Sequence, residues 1–576
     1  MPRRRAAVLI AAVVAAWTST CGHALPGGGT LDLQLLAIND FHGAIEPPSG
    51  SNGRIRDTPA GGIEFLATHL RALAASNPNT LIVSAGDNIG ASPLISGMFH
   101  DESSIEGLSE AGLQLSAVGN HELDEGWAEL YRMQNGGCHP VDGCQDQTPF
   151  AGATFQYLSA NIVVDPRRVD AQALQRSGWV RDHPGTQRQP LFPAYAIREV
   201  DGVKVGFIGL TLRGVTSLVS PPGITGLTIL PEADAANSAA RELESRGVHA
   251  IVVLIHEGGV PAGAPGQENP DTCDDFTGPI VAIANAMTDD IGVIVSGHTH
   301  RAYVCTIGAK LVTSAASLGR LITDVDLQID RATGRIIATK AANVTVTRDA
   351  MADAAEHALI AHYAPLAAVV ASRVVGSAAG TIPQARNGAG ESALGDLVTD
   401  AMLEAARASG AHVDAALMNS GGIRNDLVPS GAAAAGEPSP VTYGDVFNVL
   451  PFGNVVIVKT LTGDAIARML DQQFQRTTRF LQVSRGFTYA WDSTKPAGNR
   501  VDRDSIRIDG KPLVMTQKYR IAMVDFLWNG GDDFSIAATE SSEPSAVGTD
   551  VDVFVSYLSK HSPIAPGPQD RVRRER

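Results

Sequence analysis

Five stretches of this 576-residue chain end an apolar run with side chains able to hold a metal ion. "LQLLAINDFHG" delivers Asp40 and His42, "TLIVSAGDN" delivers Asp87, and "LSAVGNHELDEG" delivers Asn120, His121 and Asp124. "AIVVLIHEGG" adds His256, and "GVIVSGHTH" adds His298 and His300. Singly, each has a plain reading: Asp-x-His is a turn, a strand-end Asp caps a helix, and Gly86 and Gly119 are turn residues. Jointly the plain reading fails, because five of the chain's 15 histidines fall in these loops, each behind an apolar run. Imidazole nitrogens and carboxylate oxygens without a thiolate suit Zn, Mn, Fe or Co better than Ca or Mg alone. A cation held by such donors acidifies a bound water to a pKa of about 7.

For these residues to meet, the apolar runs must be strands of a layered architecture. Over residues 30–345 short β-branched runs alternate with longer helical patterns, which is the signature of an α/β fold. Sites in such sheets form beyond the carboxyl ends of the strands, so the five loops are expected to converge on one crevice. Residues 346–371 are Ala-rich, with helical periodicity and no chemical cluster, and read as a connecting helix broken at Pro365. "ESALGDLVTDAMLEAARAS" then places Leu394, Leu397, Val398, Ala401, Met402 and Ala405 on one helical stripe. That helix opens a second α/β unit over residues 372–568.

Composition sets outer limits. The chain is 44% hydrophobic and 18% charged, and too long for a single core. A net charge of −16 disfavours a nucleic-acid polymer or an anionic membrane as partner. It would also repel small phosphates unless bound cations reverse the local field. Residues 1–24 read as a signal peptide: "MPRRR", an apolar run, and a small-x-small cleavage site at Gly22-His23-Ala24. The expectation is export, with no other segment reaching a membrane-spanning length. Cys21 falls in the leader. Cys138 and Cys144 bracket "CHPVDGC" and read as a disulfide loop, which leaves Cys273 to pair with Cys305. A zinc site is the rival reading, but no CxxC spacing supports it.

The ordered set "DFH", "GDN", "GNHELD", "HEGG" and "GHTH" resembles the calcineurin-like binuclear metallophosphoesterases. "GESALGDLVTDAM", "NSGGIRNDL", "LPFGN", "FLQVSRGF" and "FLWNGGDDF" look like the C-terminal domain of the 5′-nucleotidases. The resemblance covers about residues 31–565 and points to the secreted bacterial 5′-nucleotidases, relatives of the UDP-sugar hydrolases. It implies an N-terminal β-sandwich flanked by helices, a connecting helix that acts as a hinge, and a C-terminal α/β substrate-binding domain. It also implies two divalent metals. Asp40, His42, Asp87 and His300 would hold one, and Asp87, Asn120, His256 and His298 the other, with Asp87 bridging.

By the same resemblance His121 is catalytic, facing the phosphoryl group, and Asp124 holds its other ring nitrogen. Phe452 and Phe526 would stack the base, Asp532 would bind ribose hydroxyls, and Asn419 and Arg424 would contact base or substrate. Gly421 and Gly422 allow close backbone approach. Arg386 resembles the family arginine before the helix, although four residues separate it from Glu391. Trp528 stands where the family commonly has a smaller residue. The implied partner is a small nucleotide, and the implied reaction is release of the 5′-phosphate of nucleoside monophosphates. UDP-sugar or dinucleotide pyrophosphatase and 2′,3′-cyclic phosphodiesterase with 3′-nucleotidase activity are alternatives on the same ligands. A catalytically inactive nucleotide-binding surface protein would not need the full ligand set.

Overall fold

The computed structural model describes residues 29–576 except 220, 264–268, 411, 432–436, 476 and 540–544. The predicted leader therefore lies outside the described residues. Two six-stranded sheets form the first half. β1 (Thr30–Ile38), β2 (Thr80–Ser84), β3 (Leu115–Ala117) and β4 (Gln156–Leu158) run parallel in the first sheet. The second sheet takes β5 (Tyr195–Val200), β6 (Val203–Thr211), β7 (Ala250–His256), β8 (Ile291–Ser296), β9 (Ala302–Ile307) and β10 (Lys310–Ala315). β11 (Leu321–Asp330) and β12 (Ile336–Thr345) return to the first. The strand orders are β12-β11-β1-β2-β3-β4 and β9-β10-β8-β7-β6-β5.

Alternation along β1 explains the layering. Leu31, Leu33, Leu35 and Ala37 share a buried cluster with Val205, Phe207, Val252, Leu254, Val293 and Val295 of the opposite sheet. Leu36 and Ile38 point the other way, into a cluster with helices α1 (Ile63–Ala74), α2 (Glu102–Glu110) and α3 (Trp127–Asn135). Helices α4 (Glu232–Ser245) and α5 (Pro279–Ala286) cover the second sheet. A central parallel strand is thus buried on both faces, and β7 is buried at every position. A one-residue slip of β1 would exchange its two faces, so register is tightly specified. Disulfides join Cys138 to Cys144 and Cys273 to Cys305, as expected.

Helix α6 (Ala354–Ala371) is capped by Asp353, whose carboxylate accepts from the backbone N–H of Ala355 and Glu356. The sequence suggested a break at Pro365, but the helix runs through it. Pro365 and Ala361 are both exposed, so the carbonyl deprived of its N–H partner faces solvent. With 18 residues and a mean hydropathy of 1.2, α6 also reaches spanning length and apolarity, which the sequence reading overlooked. Tyr363 and Ala367 bury it against the α1–α3 cluster.

In the second half α7 (Ala393–Ala408) buries Leu394, Val398, Ala401 and Met402, with Leu397 and Ala405 half-buried. A five-stranded sheet has the order β15-β13-β16-β14-β17. Its strands are β13 (Ala415–Asn419), β14 (Val455–Thr462), β15 (Leu481–Val483), β16 (Lys518–Val524) and β17 (Ser545–Thr549). Beyond residue 568, strand Val572–Arg574 runs parallel to Phe487–Trp491, anchored where Arg571 meets Asp400 at 2.8 Å.

Candidate functional site

Parallel strands present their carboxyl ends at one edge, and β1, β2, β3, β7 and β8 all do so here. The loops that follow carry the predicted residues into one cluster, in which Asp40, His42, Asp87, Asn120 and His256 are buried and His121, His298 and His300 half-buried. Asp40 (φ 51°), His42 (50°), Asp87 (52°), His298 (72°) and His300 (55°) all adopt the left-handed backbone region. Such geometry costs a non-glycine residue ~1–3 kcal/mol and persists where surroundings enforce it. The enforcement is visible: the Asp40 N–H donates to the Gly86 carbonyl and the His42 N–H to that of Asp87, both at 2.9 Å.

Ring orientation is set from behind. Nδ1 of His42 donates to the Gly90 carbonyl (2.8 Å), and Nδ1 of His256 to that of Ala85 (2.9 Å). A carbonyl only accepts, so Nε2 is the nitrogen each ring has left for a proton or a cation. Both Nε2 atoms face the same oxygen, Oδ2 of Asp87, at 3.7 Å from His42 and 2.9 Å from His256. Nε2 of His256 is buried without a well-formed hydrogen bond. Nε2 of His42 and of His300 approach to 3.0 Å, and Nδ1 of His298 is 3.0 Å from Oδ1 of Asn120.

Asp40, His42 and His300 form one group whose ligand atoms lie within 4.8 Å of one another, and Asp87, His256 and His298 form another. This donor set suits divalent cations, and Asp87 also belongs to a group with His42 and His121. Electrostatics agree. Burial alone would lower the pKa of His256, but Asp87, Asp40 and Glu122 lift it to about 10. Burial would raise Asp40, yet His300 and His256 hold it at about 2. The carboxylates thus favour positive charge at this point.

Glu122, which sequence reasoning passed over, clamps the loops together. Its carboxylate accepts the N–H groups of Asp87 (2.8 Å), Asn88 (2.8 Å) and Gly119 (2.6 Å). The signal was an acid inside "GNHELD", with nothing local to say that it faces backbone. Gly119 has room for no side chain, since a Cβ there would lie 2.1 Å from Oδ1 of Asp87. His121 stands at the rim, its Nδ1 2.7 Å from Oδ2 of Asp124. Burial lowers its pKa, but Asp124 and Asp87 outweigh that and raise it. Asp124 does not cap α3, since Gly126 holds that position.

Two residues of the second half reach this cluster. The Phe452 ring stacks on the His121 ring (centroids 5.6 Å apart, 20° between planes), and the Arg424 guanidinium lies 5.7 Å from the Phe452 centroid. Arg424 is half-buried, within the fields of Asp87, Asp124 and Asp40. Loops on either side are joined. The backbone N–H and hydroxyl of Ser51 donate to Oδ2 of Asp426 (3.0 and 2.8 Å), and the Asn52 amide donates to Oδ1 of Asn425 (2.7 Å).

The other predicted substrate residues form a neighbouring patch. Asn419 donates to Asp532 at 2.8 Å, and Arg479, absent from the sequence reading, pairs with the same carboxylate. Gly422 backs onto Met418 and Phe526 onto Gly531. Arg386 is exposed, 5.6 Å over the ring of Phe480, and Trp528 lies 5.3 Å from Nζ of Lys459. Phe452 therefore faces His121 rather than Phe526 in this arrangement. The cavity lined by His121, Asp124, Phe447 and Phe452 holds only about 130 Å³.

A family model described as calcineurin-like phosphoesterase matches residues 33–302, and one described as 5′-nucleotidase, C-terminal domain, matches residues 374–539. The chain is 31% identical over 580 residues to cell wall protein Lmo0130 of Listeria monocytogenes, covering 95% of this chain and 69% of that one. It is 31% identical over 548 residues to endonuclease YhcR of Bacillus subtilis, covering 94% of this chain but 41% of that protein. The crystal structure of a 5′-nucleotidase precursor from Thermus thermophilus superposes with a TM-score of 0.75 at 26% identity, covering 94% of this chain and 99% of that one.

Proposed function

Because this chain belongs to the calcineurin-like phosphoesterases that carry a 5′-nucleotidase C-terminal domain, we propose that it is an exported, dimetal-dependent hydrolase releasing the 5′-phosphate of nucleoside monophosphates. One juxtaposition carries the reading: Arg424 and Phe452 of the second half lie over His121, beside the Asp87 cluster of the first. A phosphate held by the first half would have its nucleoside end against the second.

In this reading Asp40, His42, Asp87 and His300 hold one cation, and Asp87, Asn120, His256 and His298 the other. When bound, the pair supplies the positive charge that draws the phosphoryl oxygens and acidifies an attacking water. Asp124 holds the Nδ1 proton of His121, which leaves Nε2 to donate to the oxygen where negative charge develops. Arg424 adds a fixed positive charge, in a net-negative chain, on the same side. Phe452 and Phe526 offer ring faces to the base, with stacking worth ~1–3 kcal/mol per base. Asn419, Gly422, Asp532 and Arg386 complete the nucleoside side.

In this reading the halves part to admit substrate, with α6 as hinge, and closure completes the site. Export is supported by the leader pattern at residues 1–24 and by two disulfides of a kind that persists in oxidising compartments.

The test is phosphate release by the purified protein from AMP, a UDP-sugar, ATP and 2′,3′-cyclic AMP. The name of the endonuclease relative makes a single-stranded oligonucleotide the necessary control. Chelator-sensitive release from AMP in preference to the others is expected. Preference for another substrate overturns the substrate and keeps the chemistry, whereas no release from metal-loaded protein overturns both.

A further inference from the structure

Beside that centre, on the cavity that His121 and Asp124 also line, a second set of imidazoles and carboxylates gathers at the loop closed by Cys138–Cys144. His139 and Asp142 belong to this loop, Glu125 precedes α3, Glu129 lies in its first turn, and His100 comes from the segment before α2. One ligand atom each from His100, Glu125, Glu129 and His139 lies within 4.8 Å of all the others. The two imidazoles stack with centroids 3.8 Å apart. Nδ1 of His100 is 2.7 Å from Oε2 of Glu125. Its Nε2 is 3.0 Å from Oδ2 of Asp142, which is itself 3.2 Å from Nδ1 of His139.

Glu129 is oriented from behind. Nε of Arg132 donates to both of its oxygens at 2.9 and 3.0 Å, while the same guanidinium binds Glu102 and the Gly137 carbonyl, each at 2.6 Å. Three carboxylates thus surround two imidazoles, and the one arginine present is shared with a fourth acid.

We propose that this cluster is a further divalent-cation site of zinc type, separate from the catalytic pair, with His100, His139, Glu125 and Glu129 as ligands. Two nitrogens and two carboxylate oxygens make a tetrahedral donor set of the kind zinc takes. Bonds of ~2.0–2.1 Å put tetrahedral ligand atoms ~3.3 Å apart, so the cluster contracts on binding and the stacked imidazoles turn apart to aim at the ion. The disulfide restricts the loop beforehand, which reduces the ordering entropy that binding must overcome. Arg132 and Asp142 are positioning residues, as outer-shell partners of metal ligands are.

The cluster adjoins the wall of the catalytic centre. Asp101, next to His100, accepts the Gly90 N–H at 2.9 Å, and the Gly90 carbonyl orients His42.

The experiment measures metal per chain by plasma mass spectrometry after the purified protein is stripped with chelator, refilled with zinc and dialysed. Wild type should hold one zinc more than His139→Ala, and one more than Glu125→Gln, with chelator-sensitive phosphate release retained by His139→Ala. Glu125→Gln changes an exposed side chain and covers the case in which His139→Ala does not fold. Equal zinc content in wild type and a folded variant overturns the proposal, leaving an ion-pair network only. The comparison is a difference, so it stands apart from how many cations the catalytic centre holds and which substrate it takes.

Discussion

Replacing Asp124 by asparagine keeps the shape of its contact with His121 and removes the charge. The contact is 2.7 Å long between side chains 12% (His121) and 23% (Asp124) exposed, so it is a partly desolvated hydrogen bond to a charged group. Such bonds are worth ~1.5–3 kcal/mol. If His121 carries its positive charge opposite the departing oxygen, that energy is lost from the transition state. At ~1.4 kcal/mol per tenfold, Asp124→Asn should lower kcat by roughly 10- to 150-fold. His121→Ala removes the whole donor and should cost ~10²–10⁴. The assay is steady-state phosphate release from AMP by wild type, both single variants and the double, with metal per chain measured on the same samples. KM and metal content should stay near wild type. On the His121→Ala background, Asp124→Asn should cost nothing further, because its target is gone. An added loss in the double variant, or metal loss in Asp124→Asn, refutes the idea that Asp124 acts through His121.

Gly119→Ala would place a methyl group 2.1 Å from Oδ1 of Asp87 and should displace that carboxylate, seen as lost metal and lost activity together; unchanged metal content would count against the bridging role. Glu122→Gln brings an amide NH₂ to a point where three backbone N–H groups converge and should weaken metal affinity by ~10–100-fold, read by competition with a chelator. Glu356 is fully buried with neither carboxylate oxygen hydrogen-bonded, and burial, with Glu110 adding to it, lifts its pKa from 4.5 to about 8. A folded-state pKa raised in this way gives stability that is complete below the unfolded value. It drains as pH climbs toward the folded one, by up to ~1.4 kcal/mol per pH unit. Glu356→Gln should therefore melt above wild type at about pH 9, with the gap shrinking towards about pH 5; a gap that does not change with pH would refute this.

Much of the site was legible because its parts are local. An apolar β-branched run followed by glycine and a metal-capable residue is a strand end whatever the rest of the chain does. Five such ends predicted Asp40, His42, Asp87, Asn120, His256, His298 and His300 before any contact was known. The stripe from Leu394 to Met402 was legible for the same reason, since helical period is a property of neighbouring residues. Pro365 misled because the rule that proline breaks a helix weighs only the lost N–H and the local ring clash, whereas here Tyr363 and Ala367 pack the helix down on either side of it.

What the chain determined by itself was therefore the type and order of its elements, the donors at their ends and the cysteine pairing. Tertiary structure alone decided who meets whom. Glu122 gains meaning only when two loops are brought to its carboxylate, Arg479 only when it reaches Asp532, and His100 only when His139 swings in on its disulfide loop. Phe452 resting on His121 depends on how the two halves sit together. Periodicity and composition report on residues near in sequence; charge pairing and ring contact depend on distance in space, which only the folded chain sets.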